Sequence, residues 1–274
     1  MMRLLTLLCS SLLVACASPK VSFEGSREAA ADTVVLLHGL GRGSGSMRAL
    51  ATLLGNDGYR VCSIDYASTR HGPPELVRQV TAAINDCAPE QGSMHVVTHS
   101  LGGILLRAWA RENPGQLTGR AVMLAPPNRG SELSDVVGHS GLLRAVLGPT
   151  GADLGTNPFS FPNRLGPARF PVGVIAGTRS LHPLGYFLLE GPNDGTVTAR
   201  SARLAGMRDF VTVHRAHSFI MGAPEVMYEV SVFLRDGCFS RELEDVSYDA
   251  SSLCADARSE PADAALAWSD RATH

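Results

Sequence analysis

From Thr33 onward the chain alternates short, almost continuously apolar runs with longer segments whose apolar residues recur three and four apart. The runs at 33–38, 60–65, 94–98, 120–124, 171–176 and 210–214 mostly lack the in-out alternation of a half-exposed strand, which predicts strands buried on both faces. Helical spacing marks 46–56, 74–87, 101–112 and 225–235, and Pro74 falls in a first turn, where a missing N–H costs nothing. Strands separated by helices imply a parallel sheet covered on both sides. The expected class is therefore α/β, with about six mainly parallel strands. Between 126 and 167 the alternation breaks into a Gly- and Pro-rich stretch whose one apolar segment is 142–147, as in a functional or mobile insertion. No internal repeat interrupts the series.

The two ends follow other rules. Arg3 precedes an apolar run at 4–14 of about 11 residues, too short for a helix crossing about 30 Å of hydrocarbon, so 1–15 reads as an export signal. Its close, Leu13-Val14-Ala15-Cys16, resembles the signal of bacterial lipoproteins. That resemblance implies acylation of Cys16 as the mature N-terminus and, with uncharged Ala17 following, an anchor in the outer membrane facing the periplasm. Residues 16–31, mostly small and polar, are expected to form the tether, 32–236 the globular domain and 237–274 a C-terminal extension, with 256–274 disordered.

Composition narrows the partners. With 45% hydrophobic and 18% charged residues the chain can bury a core, and a net charge of −2 provides no field for nucleic acid, leaving a small molecule or a lipid ester as the expected partner. Nothing in it bears on oligomeric state. Export would place Cys62, Cys87, Cys238 and Cys254 in an oxidising compartment, where two disulfides are expected. Of the three connectivities, Cys62 with Cys87 and Cys238 with Cys254 close the shortest loops, the alternative for Cys62 and Cys87 being reduced core residues.

The chemistry concentrates where the third strand runs directly into a helix, at Thr98-His99-Ser100-Leu101-Gly102-Gly103. A hydroxyl projected from such a turn needs small flanking residues, and the Gly pair provides the space, although Thr98 stands where Gly opens the usual G-x-S-x-G. This segment resembles the nucleophile elbow of α/β-hydrolases of the small lipase and esterase type. His38-Gly39-Leu40-Gly41 is similar to the same family's oxyanion loop, which implies that the backbone N–H groups of Leu40 and Leu101 face the substrate oxygen. The family order of nucleophile, acid and base then implies Asp194, in Asn193-Asp194-Gly195-Thr196-Val197, and His217, just past the last strand. Asp209 is the reserve acid and His214 the competing base. Leu124-Ala125-Pro126-Pro127-Asn128-Arg129-Gly130-Ser131 is similar to a turn of small lipases, which implies that the insertion covers Ser100 as a lid with Leu142, Leu143, Val146 and Leu147 on its apolar face.

Other readings weigh less. Gly41-Arg42-Gly43-Ser44-Gly45-Ser46 has Ser where a dinucleotide fingerprint needs its third Gly, so no cofactor is expected. His99 is expected to pack under the elbow, and His71, His95, His139 and His182 to be structural or exposed; His214 and His217 lie three apart outside a helix, so no metal is expected. The implied function is hydrolysis of carboxylic esters through an acyl-enzyme on Ser100. A transacylase would use the same residues, and a non-catalytic lipid-binding lipoprotein could keep the fold without the chemistry.

Overall fold

The computed structural model describes residues 18–28, 31–181 and 183–254; the proposed signal, Cys16, His182 and the tail expected to be disordered from 256 lie outside them. Six parallel strands form where the apolar runs predict them: β2 (Thr33–Leu37), β3 (Arg60–Asp65), β4 (Met94–His99), β5 (Ala121–Leu124), β6 (Val172–Gly177) and β7 (Asp209–Val213). Two more strands make the sheet eight-stranded rather than six. β1 (Lys20–Gly25) pairs antiparallel with β3 and β8 (Val246–Tyr248) antiparallel with β7, giving the order β1-β3-β2-β4-β5-β6-β7-β8. Part of the expected tether and part of the C-terminal extension are thus built into the sheet. Both have too few apolar residues to read as strands, yet an open sheet edge offers them a row of unpaired N–H and C=O groups. On β1 the Arg60 guanidinium also covers the half-exposed Phe23 ring, 4.3 Å from its centre.

The pleat divides the core in two. Val35 and Leu37 face α2 (Pro73–Cys87) and α3 (Leu101–Glu112), whereas Val34 and Leu36 face α1 (Arg48–Asn56) and α8 (Pro224–Asp236). Because each strand supplies both layers, its sequence is apolar throughout. The insertion is helical as well, with α4 (Glu132–His139) and α5 (Gly141–Ala152), the latter broken at Gly148, where φ is +74° and Pro149 starts the second piece. Further along are the short helices α6 (Pro183–Leu188) and α7 (Ala199–Ala202).

Both expected disulfides are formed. Cys62–Cys87 joins β3 to the end of α2 across 25 residues, and Cys238–Cys254 closes 16 residues behind α8. Loops of this size restrict the unfolded chain by about 3 kcal/mol each. Reduction is expected to lower the melting temperature by several degrees or more, and Cys238→Ser with Cys254→Ser to reproduce part of that fall in a calorimetric scan.

Candidate active site

The geometry starts from the flush ends of neighbouring strands. Leu37 at the end of β2 is level with Thr98 on β4, and His99 with Leu124 on β5, so the loops leaving β2, β4 and β5 share one rim. At that rim Ser100 has φ +51° and ψ −119°, a conformation costly to any residue with a Cβ, while its N–H donates to Leu124 O at 2.9 Å. The glycines explain how the turn closes. A Cβ on Gly102 would lie 2.6 Å from Leu37 O, and one on Gly103 would lie 3.2 Å from the Thr98 hydroxyl, so α3 is seated against β2 and over Thr98. Gly39 is equally confined, since its Cβ would lie 3.1 Å from Ser100 Cβ and 2.7 Å from His99 Nδ1.

The other two expected residues arrive from loops after β6 and β7. The Ser100 hydroxyl and His217 Nε2 are 3.0 Å apart, and His217 Nδ1 lies 2.7 Å from Asp194 Oδ2. Asp194 is buried, its side chain 1% exposed, against 14% for His217. Its second oxygen accepts from the N–H of Thr196 at 2.9 Å and of Val197 at 2.7 Å, which fixes the carboxylate orientation. The backbones are tied too, His217 N–H donating to Asp194 O at 3.0 Å. A carboxylate accepts only, so His217 carries its proton on Nδ1 and presents a lone pair on Nε2 to the serine. That chain can withdraw a proton from Ser100.

Of the alternatives, His214 sits exposed beyond β7. Asp209 lies at the far end of that strand, buried and bonded to Arg241 at 2.7 Å and to two backbone N–H groups. Of the two expected oxyanion donors, Leu101 directly follows Ser100 and Leu40 directly follows Gly39, the residue confined against Ser100 Cβ. Leu101 opens α3, where the first N–H groups have no intrahelical acceptor, and the Leu40 N–H has no acceptor among the described residues. The β2 loop is held by His38, whose Nδ1–H donates to Gly39 O at 2.8 Å, whose Nε2 accepts from Tyr66 N–H at 3.2 Å and whose ring stacks on Tyr66 with centres 4.0 Å apart. The Tyr66 hydroxyl donates back to His38 O. The end of α5 reaches this loop, a Cβ at Gly151 being 3.0 Å from the Leu40 side chain. Farther along the insertion Leu142 and Val146, one turn apart, are 77% and 64% exposed.

Two residues that the motifs left in the background support the frame. His99 lies under the elbow as expected, and its Nε2–H donates to His217 O at 3.0 Å, with the two rings 4.8 Å apart. Burial first, then the His217 ring, holds its pKa well below the ordinary 6.5, so it is neutral. Arg107, on α3, is buried and donates to Asn128 O at 2.9 Å, bracing the turn after β5. Ser131 at the end of that turn donates to Thr196 O at 2.6 Å, beside the acid.

His38, His95 and His99 share one electrostatic consequence. Desolvation lowers the pKa of each below 6.5, so as the pH falls through that value the unfolded chain takes up protons that the folded chain refuses. Stability is therefore present above about pH 6.5 and lost below it. Buried Glu229, raised from its ordinary 4.5 by desolvation, pulls the opposite way, but as one group against three. The urea midpoint is expected to be lower at about pH 5.5 than at about pH 7.5, with His95→Gln reducing the difference.

Comparison with known proteins fits this frame. Residues 28–158 match the family model described as serine aminopeptidase, S33. Among solved structures, the mature lipase BlEst2 of Bacillus licheniformis is 20% identical with a TM-score of 0.60, over 79% of this chain and 97% of that one. The fold is that of the α/β-hydrolases. An enol-lactonase from Burkholderia xenovorans is 17% identical with a TM-score of 0.54, covering 80% of this chain and 96% of that one. Carboxylesterase CesB of Bacillus subtilis is 14% identical with a TM-score of 0.51, covering 80% and 88%. No curated protein sequence matches the chain. β1 and β8 run antiparallel at the two edges of the parallel centre that carries the rim.

Proposed function

We propose that the protein is a serine hydrolase that cleaves carboxylic esters through an acyl-enzyme on Ser100. The observation that carries this reading is the unbroken path from the Ser100 hydroxyl through His217 to Asp194, at 3.0 and 2.7 Å. As Ser100 Oγ adds to the ester carbonyl, its proton passes to His217 Nε2 and the imidazolium is stabilised by Asp194. The carbonyl oxygen becomes negative and takes hydrogen bonds from the Leu40 and Leu101 N–H groups, donors fixed in place before the charge develops. On collapse the proton moves from His217 to the departing alkoxide; water then repeats the sequence and frees the acid.

In this reading the insertion is a lid over Ser100, with the exposed Leu142 and Val146 on its outward face. The chain is exported and held to a membrane at Cys16, the outer membrane of a Gram-negative cell in the first instance. Two disulfides in a chain of this size favour an oxidising compartment.

Fluorophosphonate labelling followed by intact-mass measurement tests the nucleophile: one adduct per chain, located on Ser100, is expected. A panel of p-nitrophenyl esters of rising chain length, with aminoacyl p-nitroanilides beside it, tests the bond cleaved. Ester turnover without anilide turnover supports the proposal; the reverse favours the peptidase suggested by the matched family model. Adding an alcohol acceptor distinguishes transacylation by the new ester formed, and absence of both label and turnover would favour a silent scaffold. For the anchor, the mass of the mature N-terminal peptide should include acyl chains on Cys16, lost in Cys16→Ser.

A further inference from the structure

At the sheet edge opposite Ser100, the loop after α3 leads into the start of β5 and the end of the insertion leads into β6, these two strands beginning level at Ala121 and Val172. Between the two incoming segments lies a cavity of about 430 Å³, a size ordinary for a small-molecule site. Four arginines line it, Arg107, Arg111, Arg164 and Arg169, and no Asp or Glu does.

Their charge is poorly compensated. Arg107 is buried, and its bonds go to neutral acceptors: Asn128 O at 2.9 Å and Oδ1 at 3.2 Å, Pro162 O at 3.0 Å and Gly166 O at 2.8 Å. Burial lowers its pKa to about 10, which still leaves it charged at neutral pH. Arg111 donates from one nitrogen to Arg164 O at 2.8 Å, and Arg164 meets a carboxylate only at 3.9 Å, in an exposed pair with Asp153. Arg169 is exposed and has no partner among the described residues. The rest of the lining differs in character: Leu117, Leu165 and Phe170, half-buried, pack against the core below α3 and present apolar surface to the same space.

We propose that this cavity binds an amphiphilic anion, with a carboxylate or phosphate head held by Arg111, Arg164 and Arg169 and an apolar tail against Leu117, Leu165 and Phe170. A guanidinium matches either head bidentately, and the buried Arg107 behind them adds an attractive field that neutral carbonyls do not cancel. The site is separate from Ser100, because parallel strands place their two ends on opposite rims of the sheet.

Calorimetric titration of the purified mature protein with decyl phosphate and decanoate below their micellar concentrations tests it, with inorganic phosphate and decyl glucoside as head-only and uncharged-tail probes. Saturable one-to-one binding of a tailed anion is expected, about ten-fold or more tighter than either control, and falling about ten-fold or more in the exposed double variant Arg111→Gln with Arg169→Gln while the melting temperature is kept. Binding that survives the double substitution would be binding elsewhere, the acyl pocket included, and would overturn the assignment. So would equal affinity for decyl glucoside, or no saturable binding of either tailed anion. Inorganic phosphate binding as tightly as decyl phosphate would overturn the role of the apolar lining.

Discussion

Replacing Ser100 with Ala is expected to lower kcat on a p-nitrophenyl ester by about 10⁵- to 10⁶-fold, with little change in KM, because the attacking atom is lost while the pocket and the oxyanion donors stay. The fold should not suffer. Ser100 makes no side-chain cap for α3, and Ala must adopt the same positive φ, so the substitution neither removes a capping bond nor relieves the turn. The measurement is steady-state turnover beside a melting curve. Retention of more than about a hundredth of wild-type activity in a folded variant would place the nucleophile elsewhere, since loss of the nucleophile removes far more than that.

Asp194→Asn should be the second largest effect, a fall in kcat of about 10⁴-fold, and its cause is a tautomer rather than a lost contact. One Asp194 oxygen accepts from Thr196 and Val197 N–H and the other faces His217 Nδ1. An Asn side chain can satisfy the two backbone donors only by turning its carbonyl oxygen toward them, which points its NH₂ at His217. The imidazole must then accept on Nδ1 and carry its proton on Nε2, where it can no longer take the proton of Ser100. The same buried position in Asp194→Ala leaves two backbone N–H groups unpaired, so that variant should lose stability as well as rate, by about 1–3 kcal/mol for each donor left dry. A KM-neutral loss of kcat in Asn, with the melting point preserved, separates the two. Similar activity in Asn and wild type would mean that another acid orients His217.

Much of this site can be read from local sequence, because its parts are local. The elbow needs a strand, a turn and a helix in immediate succession with small residues after the serine, and 94–112 contains all of them. Gly102 and Gly103 are informative for the same reason: a Cβ on Gly102 would collide with Leu37 O, and one on Gly103 would be tight against the Thr98 hydroxyl. His217 and Asp194 follow from position relative to strands and from resemblance. Their distances to Ser100 depend on loops after β6 and β7, whose course no periodicity records. His99 is expected beneath the elbow, but its bond to His217 O joins residues 118 apart and has no sequence signature. Arg107 gives no warning either, since an arginine on a helix ordinarily points to water.

The sequence by itself determined the six central strands, the four helices that cover them and the strand-turn-helix that carries Ser100, because each follows from burial on both faces or from the steric demands of one turn; chain proximity favoured the two disulfide pairings over the other connectivities without excluding reduced Cys62 and Cys87. Only the tertiary structure decided the rest. β1 and β8 form because a finished sheet has open edges, not because Lys20–Gly25 or Val246–Tyr248 would hold an extended form alone. The helices of the insertion carry apolar residues three and four apart over only one or two turns, too short a stretch to predict them, and the approach of α5 to Leu40 depends on where the β2 loop lies. The alignment of Ser100, His217 and Asp194 and the gathering of four arginines at the opposite rim depend on strand register, a property of the whole sheet rather than of any one segment.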